Sequence, residues 1–197
     1  MTPALRRLLR AAAAIVCSTA GIAAQADAQV GAQAGAPDPQ RIDSVYSARI
    51  VALTPVDPRW KFSTELVDHL PYSATVPSPL KVLGYVPGTL GRLSRTADLN
   101  RYFRALAAAS PRVKIFSAGT SDEGREMIVA AIADEATIAK LDDYRAMMSR
   151  LADPRGLAPA ERARLVREAK PIYWLTGTIH APETGSPEML MELAYRL

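Results

Sequence analysis

A histidine and a glutamate three residues apart are the side chains of this sequence best suited to chemistry. His180 and Glu183 lie in the stretch TIHAPETGSPE, which spans residues 178–188. An imidazole and a carboxylate in one short loop can both reach a single ion, and zinc accepts nitrogen and oxygen ligands of this kind. Catalytic zinc sites typically have three protein ligands and a water. The spacing therefore predicts that His180 and Glu183 are two ligands of a Zn2+ site.

For each candidate residue, a purely structural role is the alternative to metal binding or catalysis. A histidine on its own is more often a satisfied interior residue than a ligand, and only the neighbouring Glu183 reverses that preference for His180. His69 is the only other histidine, and it precedes the ordered part of the sequence. Glu188 and Glu192 are four residues apart, which indicates stabilisation of a helix start and solvated surface. No phosphate-binding loop and no Gly-x-Ser-x-Gly nucleophile motif is found in the sequence.

Two predicted elements would position the His180–Glu183 pair. The uncharged, β-rich run IYWLTGTI, residues 172–179, predicts a strand buried on both faces that ends at His180. Ligands collect at the carboxyl edge of strands in open α/β sheets. After the pair, Ser186 predicts a helix cap with Pro187 at the first helical position.

The preceding hundred residues predict alternating helices and strands. Thr96 can cap a helix whose apolar residues recur at helical spacing, and residues 112–133 predict a β-hairpin. Helical patterns follow over residues 136–151 and 159–169. The fold class predicted is therefore α/β, with helices around a central mixed sheet.

The N-terminal part of the chain predicts export. Residues 1–28 have a positive start, an apolar stretch too short to span a bilayer, and small-x-small cleavage sites, so a signal peptide is favoured over an amphipathic helix. Residues 29–45 predict a flexible linker, and residues 46–93 an extended lead-in anchored by Trp60, Phe62 and Leu66. Residues 94–197 would be the N-terminal part of the functional domain. We expect a secreted or periplasmic protein.

Composition and charge exclude several kinds of partner and site. The net charge is +4, basic and acidic residues are interspersed, and three arginines lie in the predicted leader. Neither nucleic acid nor, after cleavage of the leader, a membrane is therefore expected as a partner. Cys17 is the only cysteine and would leave with the leader. The mature chain would then have no disulfide framework and no zinc–thiolate site.

The sequence resembles the zinc carboxypeptidase family of carboxypeptidase A-like metallopeptidases. Two motifs carry the resemblance: His180-x-x-Glu183 after a strand, and GTSDEGREM over residues 119–127, which looks like the family's G-x-S-x-E-G-R segment. The resemblance covers about residues 80–197. Arg125 of this segment is expected to anchor a turn or a carboxylate. Two departures stand out: Pro182 occupies a position where better-known members have arginine, and residues 134–170 insert two predicted helices.

The resemblance implies peptide-bond hydrolysis at the C-terminus of a peptide or protein substrate. Zn2+ held by His180 and Glu183 would be the cofactor and would activate a water, with a glutamate as general base. The third ligand and the catalytic glutamate of the family are not found before Leu197, so we expect an incomplete domain that is inactive alone. The alternatives are a truncated, non-catalytic secreted module, or an amidase or deacylase of the same superfamily.

Overall fold

The computed structural model describes residues 40–54 and 69–197. The predicted leader, residues 1–28, lies outside this range, as do Trp60, Phe62 and Leu66. The strands and helices of the described residues follow one another in this order: β1 (Ile42–Asp43), α1 (Ser44–Leu53), β2 (Leu70–Pro71), α2 (Pro79–Leu83), α3 (Thr96–Ala109), β3 (Val113–Thr120), β4 (Glu126–Ile132), α4 (Glu135–Ala139), α5 (Leu141–Ala152), α6 (Pro159–Glu168) and α7 (Gly185–Arg196).

The N-terminal elements form a small core of their own. Helix α1 begins where the Asp43 carboxylate accepts the backbone N–H of Tyr46 at 2.9 Å. Strands β1 and β2 pair antiparallel. Tyr46, Leu70 and Val86 are buried together. The end of the predicted linker and the start of the predicted extended lead-in therefore form a ten-residue helix, because Tyr46, Ile50 and Leu53 pack into this core in spite of the weak periodicity of the segment.

Helix α3 and the hairpin that follows confirm the predicted elements. Tyr102 and Leu106 of α3 are fully buried in the larger core, together with Val113 of β3 and Met191 of α7. The predicted cap is wrong by one residue. Thr96 is the first helical residue, and the N–H of Arg95 is satisfied by the Asp98 carboxylate at 3.1 Å.

Strands β3 and β4 pair antiparallel from Val113 opposite Ile132 to Thr120 opposite Glu126. A register shift between Ser117 and Thr120 marks a bulge, where Gly119 has a φ of 101°. This left-handed conformation favours glycine. The connecting turn, residues 121–125, carries the Glu-Gly-Arg part of the resemblance.

Three helices occupy the inserted segment. The first predicted helix is divided at Lys140 into α4 and α5, and α4 is capped by the Asp134 carboxylate, which accepts the Thr137 N–H at 2.9 Å. Helix α6 starts with Pro159 at its first position. None of the residues of α5 is buried, so this part of the chain lies largely in solvent.

The predicted strand over residues 172–179 is wrong for this structure. The segment runs without strand pairing within the described residues, and Tyr173 and Ile179 are 86% and 87% exposed. A strand buried on both faces needs a neighbouring strand and two covering layers. The two sheets of the described residues have two strands each, and neither extends to this segment.

The α/β fold class is confirmed: helices pack on small antiparallel sheets around the two cores. In place of the predicted central mixed sheet, the described residues form two separate two-stranded sheets. Within residues 40–54 and 69–197, no helix is both long and apolar enough to span a membrane.

Candidate metal site

His180 and Glu183 meet in the loop between residues 170 and 185. The Nδ1 atom of His180 lies 2.7 Å from the Oε1 atom of Glu183. A backbone turn brings them together, since the N–H of Glu183 donates to the carbonyl oxygen of His180 at 3.1 Å. The His180 side chain is 70% exposed and that of Glu183 is 48% exposed. The pair is therefore convergent and open to solvent.

The second oxygen of Glu183 is held by donors from its own loop. Oε2 accepts the backbone N–H of His180 at 3.2 Å and that of Ile179 at 3.3 Å. The hydroxyl of Thr178 lies 3.0 Å from the same oxygen. The His180 side chain and then these donors lower the pKa of Glu183 to about 2. The carboxylate is therefore ionised at neutral pH, as a metal ligand must be.

A close backbone approach positions the start of this loop. A Cβ atom built on Gly177 would lie 3.1 Å from the Leu190 side chain and 3.2 Å from Cα of Pro187. Both neighbours belong to α7, so any larger residue at position 177 would require the loop or the helix to shift by a few tenths of an ångström. The helix itself begins at Gly185, two residues before Pro187, which the sequence predicted as its first residue. Thr184 at its cap makes no side-chain capping hydrogen bond.

A cavity of about 570 Å³ lies beside the pair. Its wall includes Thr178 and Glu183 from the loop between residues 170 and 185, called the metal loop below. The wall also includes Arg125 and Glu126 from the end of the hairpin turn and residues 93–97 before and within α3. The two motifs that carry the family resemblance thus lie against one cavity, although more than fifty residues separate them in sequence. Its volume is within the range of small-molecule and peptide-side-chain sites.

Glu188 has a different environment from the one its sequence predicts. It is 7% exposed, and its two carboxylate oxygens each accept a backbone N–H at 2.8 Å, from Gly88 and from Ser94. Glu192 is also partly buried, with its Oε1 atom 2.7 Å from the hydroxyl of Tyr46. The prediction of solvated helix surface is therefore wrong for both residues. One sequence signal could have predicted this burial. Glu188 lies three residues before Met191 and Glu192 one residue after it, so both are close to the apolar face of the helix.

The donor set fits zinc as two ligands. Imidazole nitrogen and carboxylate oxygen are ordinary zinc donors, and these two atoms lie 2.7 Å apart. Because an ionised carboxylate only accepts hydrogen bonds, Nδ1 of His180 carries the proton of this contact, and a bound zinc ion would take that proton's place. Among residues 40–54 and 69–197, no group of three or more His, Cys, Asp or Glu side chains is arranged to hold a metal ion. Of the pair only Glu183 lines the cavity; His180 and the other histidine, His69, are not part of its wall. The described residues thus bring together one imidazole and one carboxylate, which stay a candidate pair of zinc ligands.

Comparison with known proteins identifies the family of the chain. No curated protein and no solved structure matches the chain. The model of the zinc carboxypeptidase family matches residues 99–197, half of the chain. This range begins in helix α3 and includes the hairpin, the inserted helices, the metal loop and α7. The chain therefore belongs to the zinc carboxypeptidase family, whose members are peptidases that use Zn2+.

Proposed function

We propose that the chain binds Zn2+ through His180 and Glu183 and that this site takes part in removing C-terminal residues from a peptide or protein substrate. The observation that carries the proposal is the 2.7 Å approach of His180 Nδ1 to Glu183 Oε1 beside a substrate-sized cavity. The chain's membership of a zinc peptidase family supports it.

Zinc bound here would polarise a carbonyl and generate a nucleophilic water. The chain's own residues hold the ligands in place. The N–H groups of Ile179 and His180 fix the Glu183 carboxylate, and Gly177 lets the loop lie close to α7. The cavity then provides a place for part of a peptide chain.

A general base is not assigned to the described part of this chain. The carboxylates in the cavity wall are Glu126 and Glu183. Glu183 is the ligand, and Oε2 of Glu126 accepts a hydrogen bond from Arg104 at 2.5 Å. With two ligands and no free base among the described residues, we expect weak zinc binding and little hydrolysis by these residues alone. The same two-ligand donor set supports the alternative of a metal-binding module without catalysis.

The metal site is tested by zinc titration of the full chain and of two matched histidine variants. We expect one Zn2+ to bind, His180→Ala to lower the affinity at least tenfold, and His69→Ala to leave it unchanged. Glu183→Gln should behave like His180→Ala, because it removes the ionised ligand. Equal affinity in all four proteins would contradict the site. Activity on peptides against acylated amino acids would then separate a peptidase from an amidase or deacylase.

Export belongs to the same proposal. We expect residues 1–28 to be removed during secretion, to the periplasm or outside the cell. N-terminal sequencing of the exported protein checks this. A mature protein that retains Arg6 and Arg10 in the cytoplasmic fraction would contradict it.

A further inference from the structure

We propose that Glu188 is a positioning residue of the candidate site: it fixes the loop of residues 86–95, which forms one wall of the cavity, and so determines how tightly the cavity holds a peptide. This inference rests on the proposed function for the nature of the ligand. It adds a residue that neither binds the metal nor lines the cavity.

The 86–95 loop has few elements of regular structure to hold it. Two backbone turns shape it, with N–H of Thr89 donating to the carbonyl of Val86 and N–H of Arg92 to that of Thr89. The hydroxyls of Tyr85 and Ser94 lie 2.9 Å apart and close its two ends. These contacts define the shape of the loop but do not attach it to α7, where the metal loop ends.

Glu188 makes that attachment. Its Oε2 atom accepts the N–H of Gly88 and its Oε1 atom that of Ser94, both at 2.8 Å, and the residue is almost fully buried. A buried carboxylate is costly unless donors compensate it, and charge-assisted bonds of this length are among the stronger hydrogen bonds. The carboxylate therefore fastens both ends of the 88–94 stretch to the first turns of α7.

Part of the fastened stretch lines the same cavity as Glu183. Leu93, Ser94 and Arg95 belong to the cavity wall, as do Glu183 and Pro187. Pro187, the residue before Glu188, thus lines the cavity, while Glu188 is not part of the wall and holds the backbone of Gly88 and Ser94. Leu93 is 57% exposed and offers an apolar surface to a ligand. If the loop moved, the wall would move but the His180–Glu183 pair would not.

Glutamine cannot replace this glutamate. An amide has one acceptor oxygen, and its NH2 group would face one of the two backbone N–H donors. Glu188→Gln should therefore release one end of the loop. Glu192→Gln is the matched control: it lies one turn later on α7, its carboxylate contacts Tyr46, and it is not part of the cavity wall.

The experiment uses the full chain with saturating Zn2+ and N-acetylalanylphenylalanine as the probe peptide. Three quantities are measured: the Kd of the probe, the Kd of Zn2+, and the hydrogen exchange of the Gly88 and Ser94 amides. In Glu188→Gln we expect the probe Kd to rise roughly tenfold, as for loss of one charge-assisted hydrogen bond. Amide exchange should accelerate, and zinc affinity should stay within a factor of about two. Glu192→Gln should leave both Kd values unchanged and should not accelerate the exchange of either amide.

Three results would overturn the inference. The first is faster exchange in Glu188→Gln with unchanged probe affinity. The second is a loss of zinc affinity as large as the loss of probe affinity, which would indicate that Glu188 acts at the metal. The third is a wild-type chain that binds zinc but not the probe. By contrast, zinc and probe binding without hydrolysis would count against the proposed catalysis alone. If Glu188→Gln does not fold, Leu93→Ala provides the test. Because Leu93 is part of the cavity wall, its truncation should raise the Kd of the probe peptide, and an unchanged Kd would contradict the inference.

Discussion

At the scale of single residues, His180 and Glu183 show what spacing alone can establish. Their types and their separation predicted that both could reach one ion, and the structure places their nearest atoms 2.7 Å apart. The donors to the other oxygen of Glu183 come from its own loop, so they too depend on local chain geometry. Sequence reasoning is reliable here because every contact of the pair spans five residues or fewer.

Gly177 carries a prediction at this scale. Gly177→Ala should displace the start of the metal loop, because its Cβ would lie 3.2 Å from the backbone of Pro187, which belongs to a helix and cannot easily move. We expect a loss of about 1 kcal/mol or more in stability, as for mild overpacking, and a severalfold weaker Zn2+ affinity.

The matched control is Gly185→Ala, where a Cβ would meet nothing within 4 Å. Thermal unfolding by circular dichroism and zinc titration measure both variants. If the two behave alike, the close approach at Gly177 does not position the metal loop.

At the scale of elements, α7 connects parts of the chain that are distant in sequence. Met191 reaches the core around α3, Glu188 holds the 86–95 loop, and Glu192 meets Tyr46 of α1. The apolar residues of α7 were predictable from their spacing. The partners of its two glutamates were not, because they lie about one hundred or more residues earlier in the chain.

The burial of Glu192 predicts a pH dependence of stability. Burial raises the pKa of Glu192 above its ordinary value, although Tyr46 and Arg196 oppose the shift. A carboxyl whose pKa is raised by folding stabilises the fold in its protonated form. That contribution is complete below the unfolded pKa and is lost as pH rises through the folded one.

Glu192→Gln should therefore raise the free energy of unfolding relative to wild type at pH 7.5, and should raise it less or not at all at pH 4. The amide oxygen can still accept from Tyr46, so the hydrogen bond is kept. Urea denaturation at the two pH values measures the difference. A gain of the same size at both would show that ionisation of Glu192 does not affect stability.

At the scale of the whole molecule, the segment of residues 171–179 leaves its apolar side chains in solvent. Ile172, Tyr173 and Trp174 are 70%, 86% and 66% exposed, in a run without charge. Extended chain with unpaired backbone groups and apolar side chains tends to pair with other chains.

We therefore predict that the chain self-associates at micromolar concentrations and that the double variant Ile172→Lys, Tyr173→Lys is more nearly monomeric. Leu90→Lys is the control, because Leu90 is 93% exposed but isolated from this run. Sedimentation velocity distinguishes the variants. A wild-type chain that is monomeric throughout, or a control that reduces association equally, would contradict the prediction.

The sequence by itself determined the features that depend on near neighbours. These are the helix α3 with its buried Tyr102 and Leu106, the hairpin of β3 and β4, and the convergence of His180 with Glu183. The family followed from the same local motifs, and the family model confirms it. Backbone preference, hydrophobic period and turn chemistry operate over a few residues, so they can be read without knowing the rest of the fold.

Only the tertiary structure decided what residues 172–179 and Glu188 do. The run IYWLTGTI has the composition of a buried strand. A strand forms only where a neighbouring strand pairs with its backbone, and among the described residues none lies beside this run. The sequence predicts Glu188 as solvated surface, whereas in the structure the 86–95 loop covers it and donates two backbone N–H groups to its carboxylate. Both outcomes depend on contacts between distant segments. Such contacts are fixed by packing and by the need to satisfy buried polar groups, and local sequence does not encode them.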